Sequence, residues 1–286
     1  MRALFAAFLL VALAGAGDGA AATERDYYFE RAGGGEALAQ NTVTAIEQDA
    51  DGFIWIGTQG GLHRYDGSRY TLYQQDPRVA GSLPDSFVTA LDADGRDGLW
   101  VGTYTQYVAR LDLATGRIRH FEAYGKPEGQ RVFAVLAEPG VLWVGTGLGL
   151  ERLDPATGAR RQVLALDDSA GLRQAIARGP DGALWYATGR GLFRIAPNGT
   201  SSEVSDEPVT SLLATPAGQL WVGGVHRLWQ VDADGALAQA WPAAGVRDGG
   251  AVHGLALAPD SAIWFAATPF GLRRLDPASG EVRALR

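Results

Sequence analysis

Four histidines, His63, His120, His226 and His253, are the imidazoles this chain could use for proton transfer or metal binding. No two of them share the i, i+4 spacing that sets a pair of imidazoles on one metal. His63 and His120 fall in outer strands, where solvation is expected, and His253 is the one attractive candidate for an acid or base. Cysteine is absent, which removes thiol nucleophiles, thiolate-bound metals and disulfides. No G-x-S-x-G, phosphate-binding loop or dinucleotide fingerprint occurs. Carboxylates are plentiful, but Asp49, Asp51, Asp94, Asp97 and Asp181 sit in Gly-rich turns, where Asp is favoured because its side chain bonds nearby backbone N–H groups. Arg64, Arg110, Arg152, Arg194 and Arg274 recur at one position of a repeated unit, which implies a structural role. Neither a catalytic constellation nor a cofactor or metal site is expected.

The residue types left over suit recognition. Gln59, Tyr104, Tyr107, Arg131, Phe133, Gln174, Arg190, His226, His253 and Phe270 mix aromatic rings with Arg, Gln and His. Rings can stack on the apolar patches of a polar organic ligand such as a saccharide, while the polar groups fix its hydroxyls. These ten residues are the candidate ligand-binding set.

What must position them is a repeat. Phe53-Ile-Trp-Ile-Gly-Thr58 returns as Leu99-Trp-Val-Gly-Thr103, Leu142-Trp-Val-Gly-Thr146, Leu184-Trp-Tyr-Ala-Thr188, Leu220-Trp-Val-Gly-Gly224 and Ile263-Trp-Phe-Ala-Ala267. Around each Trp the same order holds: an alternating apolar stretch such as Val43-Thr-Ala-Ile46, an Asp/Gly turn, the Trp strand, a short connection, a third strand such as Gly61-Leu-His-Arg-Tyr-Asp66, and a fourth such as Tyr70-Thr-Leu-Tyr73. Short apolar runs punctuated by Asp-Gly and Thr-Gly are the hairpin signal. Four strands in about 40–45 residues fit one blade of a β-propeller. The fold class is therefore all-β: six four-stranded blades around 43–73, 87–122, 131–165, 173–204, 208–241 and 251–286.

Alternating strand direction sorts the connections onto two faces. Turns between first and second and between third and fourth strands lie on one, the turn face. The remaining connections lie on the other, the connection face, where the units differ most and recognition is expected. In the first strands, Ala45, Ala90, Ala134, Ala175, Ser211 and Gly254 form a small-residue column expected to crowd near the axis. Just before it, Thr44, Thr89, Phe133, Gln174, Thr210 and His253 form a chemically varied column.

Residues 43–66 closely resemble the unit of the two-component regulator propeller family, V-x-A-I-x-x-D-x-x-G-x-[IL]-W-[IV]-G-T-x-x-G-L-x-R-[YF]-D, and the resemblance extends over residues 27–286. Blade two departs at Tyr104-Thr-Gln-Tyr107 and blade five at Val225-His-Arg-Leu228. The resemblance implies a periplasmic sensor region of a receptor, with a further propeller, an immunoglobulin-like module and a membrane-anchored histidine kinase or diguanylate cyclase elsewhere in the full-length protein, acting as a homodimer. It implies that this chain binds a small-molecule or saccharide ligand and is itself no enzyme. The rivals are a stand-alone propeller lyase or glycan hydrolase and a quinone-dependent dehydrogenase, the latter weakened by six units and no Cys pair.

The remaining expectations concern the ends and the charge. Met1-Arg2, the apolar run Ala3–Ala16 and Ala20-Ala21-Ala22 read as a signal peptide over 1–22, cleaved before Thr23. Residues 27–31 (Tyr-Tyr-Phe-Glu-Arg) read as a spare strand that would close a seven-bladed ring, six blades of which are present. A net charge of −7 speaks against a nucleic-acid partner.

Overall fold

The computed structural model describes residues 38–105, 107–122, 131–166, 174–232, 234–242 and 250–285. The signal-peptide segment and the strand expected at 27–31 lie outside the described residues. All six sheets belong to one unit, Arg31–Arg286.

Each sheet has four antiparallel strands in simple order. Blade 1 holds β1 (Val43–Gln48), β2 (Ile54–Thr58), β3 (Gly61–Tyr65) and β4 (Tyr70–Tyr73). Blade 2 holds β5 (Val88–Ala93), β6 (Gly98–Thr103), β7 (Tyr107–Asp112) and β8 (Ile118–Glu122). Blade 3 holds β9 (Val132–Glu138), β10 (Val141–Thr146), β11 (Gly149–Leu153) and β12 (Arg160–Ala165). Blade 4 holds β13 (Ala175–Arg178), β14 (Leu184–Thr188), β15 (Gly191–Ile195) and β16 (Ser201–Ser205). Blade 5 holds β17 (Val209–Ala214), β18 (Leu220–Gly224), β19 (Leu228–Val231) and β20 (Leu237–Trp241). Blade 6 holds β21 (Ala251–Leu257), β22 (Ile263–Thr268), β23 (Gly271–Leu275) and β24 (Val282–Ala284). The six sheets are the blades of a β-propeller.

The Trp strand is the core of each blade because its alternate residues face the two neighbouring blades. Trp55, Trp100, Trp185 and Trp221 are buried, with Val88, Val132, Val209 and Val252 of the following first strands fully covered. Gly stands two residues after the Trp in four of the six blades, and Ala in blades 4 and 6, and the small residue has a steric cause. A Cβ at Gly57 would strike Val88, at Gly102 Val132, and at Gly223 Val252, so at these three interfaces the next blade docks against a bare backbone. The small first-strand column pairs with this one: Ala45 stands opposite Gly57, Ala90 opposite Gly102, Ala134 opposite Gly145 and Ser211 opposite Gly223.

The varied column has an origin the sequence pattern hides. The register slips between Val43 and Ala45, Val88 and Ala90, Val209 and Ser211, and Val252 and Gly254, so Thr44, Thr89, Thr210 and His253 are bulged out of the ladder. Phe133 holds the same place in β9, opposite the slip at Gly145/Thr146. A bulged residue is free to aim its side chain elsewhere. Three aim it at the next blade: Thr44 Oγ1 donates to the Val88 carbonyl at 2.7 Å, Thr89 Oγ1 to that of Val132 at 2.7 Å, and Thr210 Oγ1 to that of Val252.

The blades at the two ends of the series differ from the rest. First strands adjoin in the order β1, β5, β9, β13, β17, β21, and no comparable contact joins β21 to β1 among the described residues. Val43 is 43% exposed and Ile46 64% exposed, whereas Val88 and Val252 in the first of these positions are fully covered. On blade 6, Ala266 is exposed where the equivalent Gly223 of blade 5 is buried.

The turn aspartates do what their setting predicts. Asp49 accepts from the N–H groups of Asp51 and Phe53 at 3.0 and 2.9 Å, and its other oxygen accepts from Trp55 Nε1 at 2.7 Å. Three of the five recurrent third-strand arginines reach back to such turns within their own blade: Arg110 to Asp94 and Asp97 at 2.7 and 2.8 Å, Arg194 to Asp181, and Arg274 to Asp260 at 2.9 Å. His63 corrects one expectation. Instead of being solvated it is 1% exposed, and its Nε2 accepts from the Ala39 N–H at 2.9 Å. Burial lowers its pKa, so the neutral imidazole that this bond requires is favoured. His120 is exposed as expected, with Nε2 2.8 Å from the Ser82 carbonyl oxygen.

Candidate functional site

The connection face gathers part of the candidate set into one cluster. Tyr104 directly follows β6, where blade two replaces the Gly-rich connection. Its N–H donates to the Phe87 carbonyl at 2.9 Å, and the two rings stack with centroids 4.6 Å apart and planes 6° from parallel. Arg131, just before β9, places its guanidinium carbon 4.2 Å from the centroid of Tyr104. Blades 2 and 3 thus share a cluster of Phe87, Tyr104 and Arg131. Arg131 is exposed and has no carboxylate partner among the described residues. An aromatic pair beside an unneutralised guanidinium can stack on a ligand ring while donating several N–H bonds to it. The sequence pattern alone passed over Phe87, although an aromatic residue directly before a first strand is a visible signal.

The other candidates are more dispersed. Gln174 is 8% exposed and fully engaged: its Nε2 donates to the Thr146 carbonyl at 3.1 Å and its Oε1 accepts from Tyr186 Oη at 2.6 Å. It wedges blade 4 against blade 3. Tyr186, enclosed beside Glu151, has its pKa pushed up, so its hydroxyl remains a donor. Phe133 is 9% exposed and contributes to packing. Gln59 is exposed, with Oε1 accepting from Gln40 Nε2 at 3.4 Å. Arg190 and His226 are exposed on the connections of blades 4 and 5, and His253 is partly buried on its bulge. Phe270 is 45% exposed, edge-on to Trp241 at 6.2 Å, with the Arg273 guanidinium 5.8 Å from its ring. Tyr107 opens β7, and its side chain lies outside the described residues. Among the described residues no group of three His, Asp or Glu could hold a metal ion.

One titrating feature bridges the first strands. Asp92 of β5 accepts from the Ala137 N–H of β9 at 2.5 Å. Burial raises its pKa to about 7 against that hydrogen bond, with the negative charges of Glu47, Asp94 and Glu138 adding to the rise. Glu47, in the same column of blade 1, is also raised by burial and opposed by a bond from the Ala93 backbone.

Comparison with known proteins bears out the resemblance to the two-component regulator propeller: residues 37–60 match that family. Histidine kinase P4 of Formosa agariphila is 38% identical over 48 residues, which is 17% of this chain and 4% of that protein. Among solved structures, the extracellular domain of the hybrid two component system BT3049 from B. thetaiotaomicron has a TM-score of 0.73 at 20% identity, covering 90% of this chain and 36% of that one. The virginiamycin B lyase of Staphylococcus aureus has a TM-score of 0.66 at 17% identity, covering 84% of this chain and 83% of that one. These likenesses show the propeller fold. The chain spans about a third of the sensor ectodomain and a small fraction of the kinase. Among the described residues no helix is long and apolar enough to cross a membrane.

Proposed function

We propose that this chain is a ligand-sensing propeller of an extracytoplasmic signalling receptor, binding a saccharide or other small polar ligand on the connection face. The output, a histidine kinase or diguanylate cyclase, belongs to the full-length receptor, together with a further propeller, an immunoglobulin-like module and a membrane anchor. Residues 1–22 direct export to the periplasm, and the receptor works as a homodimer. The observation that carries this reading is the Phe87, Tyr104 and Arg131 cluster, built where blade two departs from the family's unit. The family match at residues 37–60 and the fold shared with extracellular domains of two component systems support it.

The test is a thermal-shift screen of neutral oligosaccharides against the purified chain, followed by calorimetry on hits. A bound saccharide whose affinity falls about tenfold or more in Tyr104→Ala supports the reading, since loss of a stacking contact of about 1.4 kcal/mol corresponds to that factor. Turnover of a glycan that disappears in His253→Ala would replace the sensor with an enzyme.

A further inference from the structure

The turn face carries a cleft between blades 2 and 3 that none of the residues above explains. Its volume is about 640 Å³, against about 40 Å³ for the corresponding cleft between blades 1 and 2. Clefts of a few hundred to about 1,000 Å³ are the usual size of small-ligand sites.

Two local departures from the repeat accompany it. In blade 1, Phe53 lines the smaller cleft with the Arg64 guanidinium 4.5 Å from its ring. The equivalent position in blade 2 is Gly98, where any side chain would strike the Arg110 guanidinium and Asp94. In blade 3 the first turn is also shorter: Glu138 pairs directly with Val141, leaving only Pro139 and Gly140 at the tip. Other blades keep three residues there, as in Asp49 to Phe53 and Asp94 to Gly98.

The cleft is lined by four carboxylates and four arginines, and each of the carboxylates already accepts at least one hydrogen bond from the protein. Asp94 is bonded to Arg110 at 2.7 Å, and Glu138 to Arg178 of blade 4 and to Trp143 Nε1. Asp112 accepts from the N–H and hydroxyl of Thr115, both at 2.7 Å, and Asp154 from the Ala156 N–H at 2.8 Å. By contrast Arg96 and Arg117, both exposed on the rim, have no side-chain partner among the described residues. Arg119 gives one N–H to the Pro155 carbonyl at 3.1 Å and leaves the rest of its fork open. The aromatic floor, Trp100 and Phe121, is covered, so stacking on it is limited.

We propose that this cleft is a second ligand site, independent of the connection face, and that it takes a small organic polycarboxylate. Three guanidinia arriving from the β5–β6 turn, the β7–β8 turn and β8 can each fork onto a separate carboxylate, a geometry that a neutral sugar or a single carboxylate does not fill.

Citrate is the probe, titrated calorimetrically into the intact chain, with maltotriose and sulfate as comparisons. Citrate is expected to bind at least tenfold more tightly than either. Arg117→Ala, Arg119→Ala and the cleft-filling Ala156→Trp should each weaken it at least fivefold, while Tyr104→Ala should leave it unchanged. Unaltered thermal midpoints will show that the variants fold. No citrate binding, sulfate binding as tight as citrate, or a response to Tyr104→Ala without one to the cleft variants would overturn the proposal. Failure of the connection-face reading leaves each of these readouts intact.

Discussion

The guanidinium of Arg131 lies 4.2 Å from the ring centroid of Tyr104, joining the approach to blade 3 to the connection of blade 2. An exposed pair of this kind stabilises by about 0.5–1 kcal/mol. A double-mutant cycle of Tyr104→Ala and Arg131→Ala, read by urea unfolding, is therefore expected to give a coupling in that range. Coupling near zero would mean that the two side chains part in solution.

Trp55→Ala should destabilise the protein by roughly 3–5 kcal/mol, because the ring is buried and its removal leaves a cavity. It also strands Asp49 Oδ2, which accepts from the indole at 2.7 Å. Denaturant unfolding will measure it, and a loss below about 1 kcal/mol is incompatible with the packing described.

The bulged threonines predict a smaller, patterned effect. Thr89→Val keeps the shape but removes the donor to the Val132 carbonyl, at a cost of about 1–2 kcal/mol. Thr89→Ser, which retains the hydroxyl, should recover part of that loss in the same unfolding assay.

Asp92 sets a pH dependence with a definite sign. Unfolded, its carboxyl ionises near pH 4; folded, it keeps its proton until about pH 7. Between these values the native state binds the extra proton, so its contribution weakens stability as pH rises and the full penalty stands above pH 7. Asp92→Asn can still accept from Ala137 and should flatten the profile between pH 4 and 7, leaving the variant more stable than the parent at pH 8. A parallel profile for both proteins would refute this assignment.

Paired truncations test the end of the series. Val88→Ala removes a fully covered side chain and should cost roughly 1–3 kcal/mol, while Val43→Ala, at the equivalent and half-exposed position, should cost well under 1 kcal/mol. Equal costs would place a neighbour against blade 1.

The blades were legible because their grammar is local. Trp, a small residue two positions later and a polar turn repeat at near-fixed offsets, and at Gly57, Gly102 and Gly223 the small residue makes room for the valine of the next blade. The varied column was visible, but its meaning was not. A bulge depends on cross-strand register, so the bonds that Thr44 and Thr89 make to the neighbouring blade could not be read from the column. Gln174 is similar, since only the fold brings Thr146 and Tyr186 to its amide. His63 reads as an outer-strand residue until the backbone at Ala39 covers it. The turn-face cleft had a faint signature in the clipped Glu-Pro-Gly-Val turn, but which arginines of its rim find partners is settled only in three dimensions.

Among the described residues nothing covers the outer flanks of blades 1 and 6, which bears on how this part of the molecule comes apart. A ring closed on itself gives every blade two neighbours, whereas a series with two open ends behaves as a short linear array whose outer members hold by one interface each. Opening should then spread inward from both ends. Amide protons of β2 and β22 will exchange through low-energy fraying, while those of β10 and β14 wait for the whole array to melt.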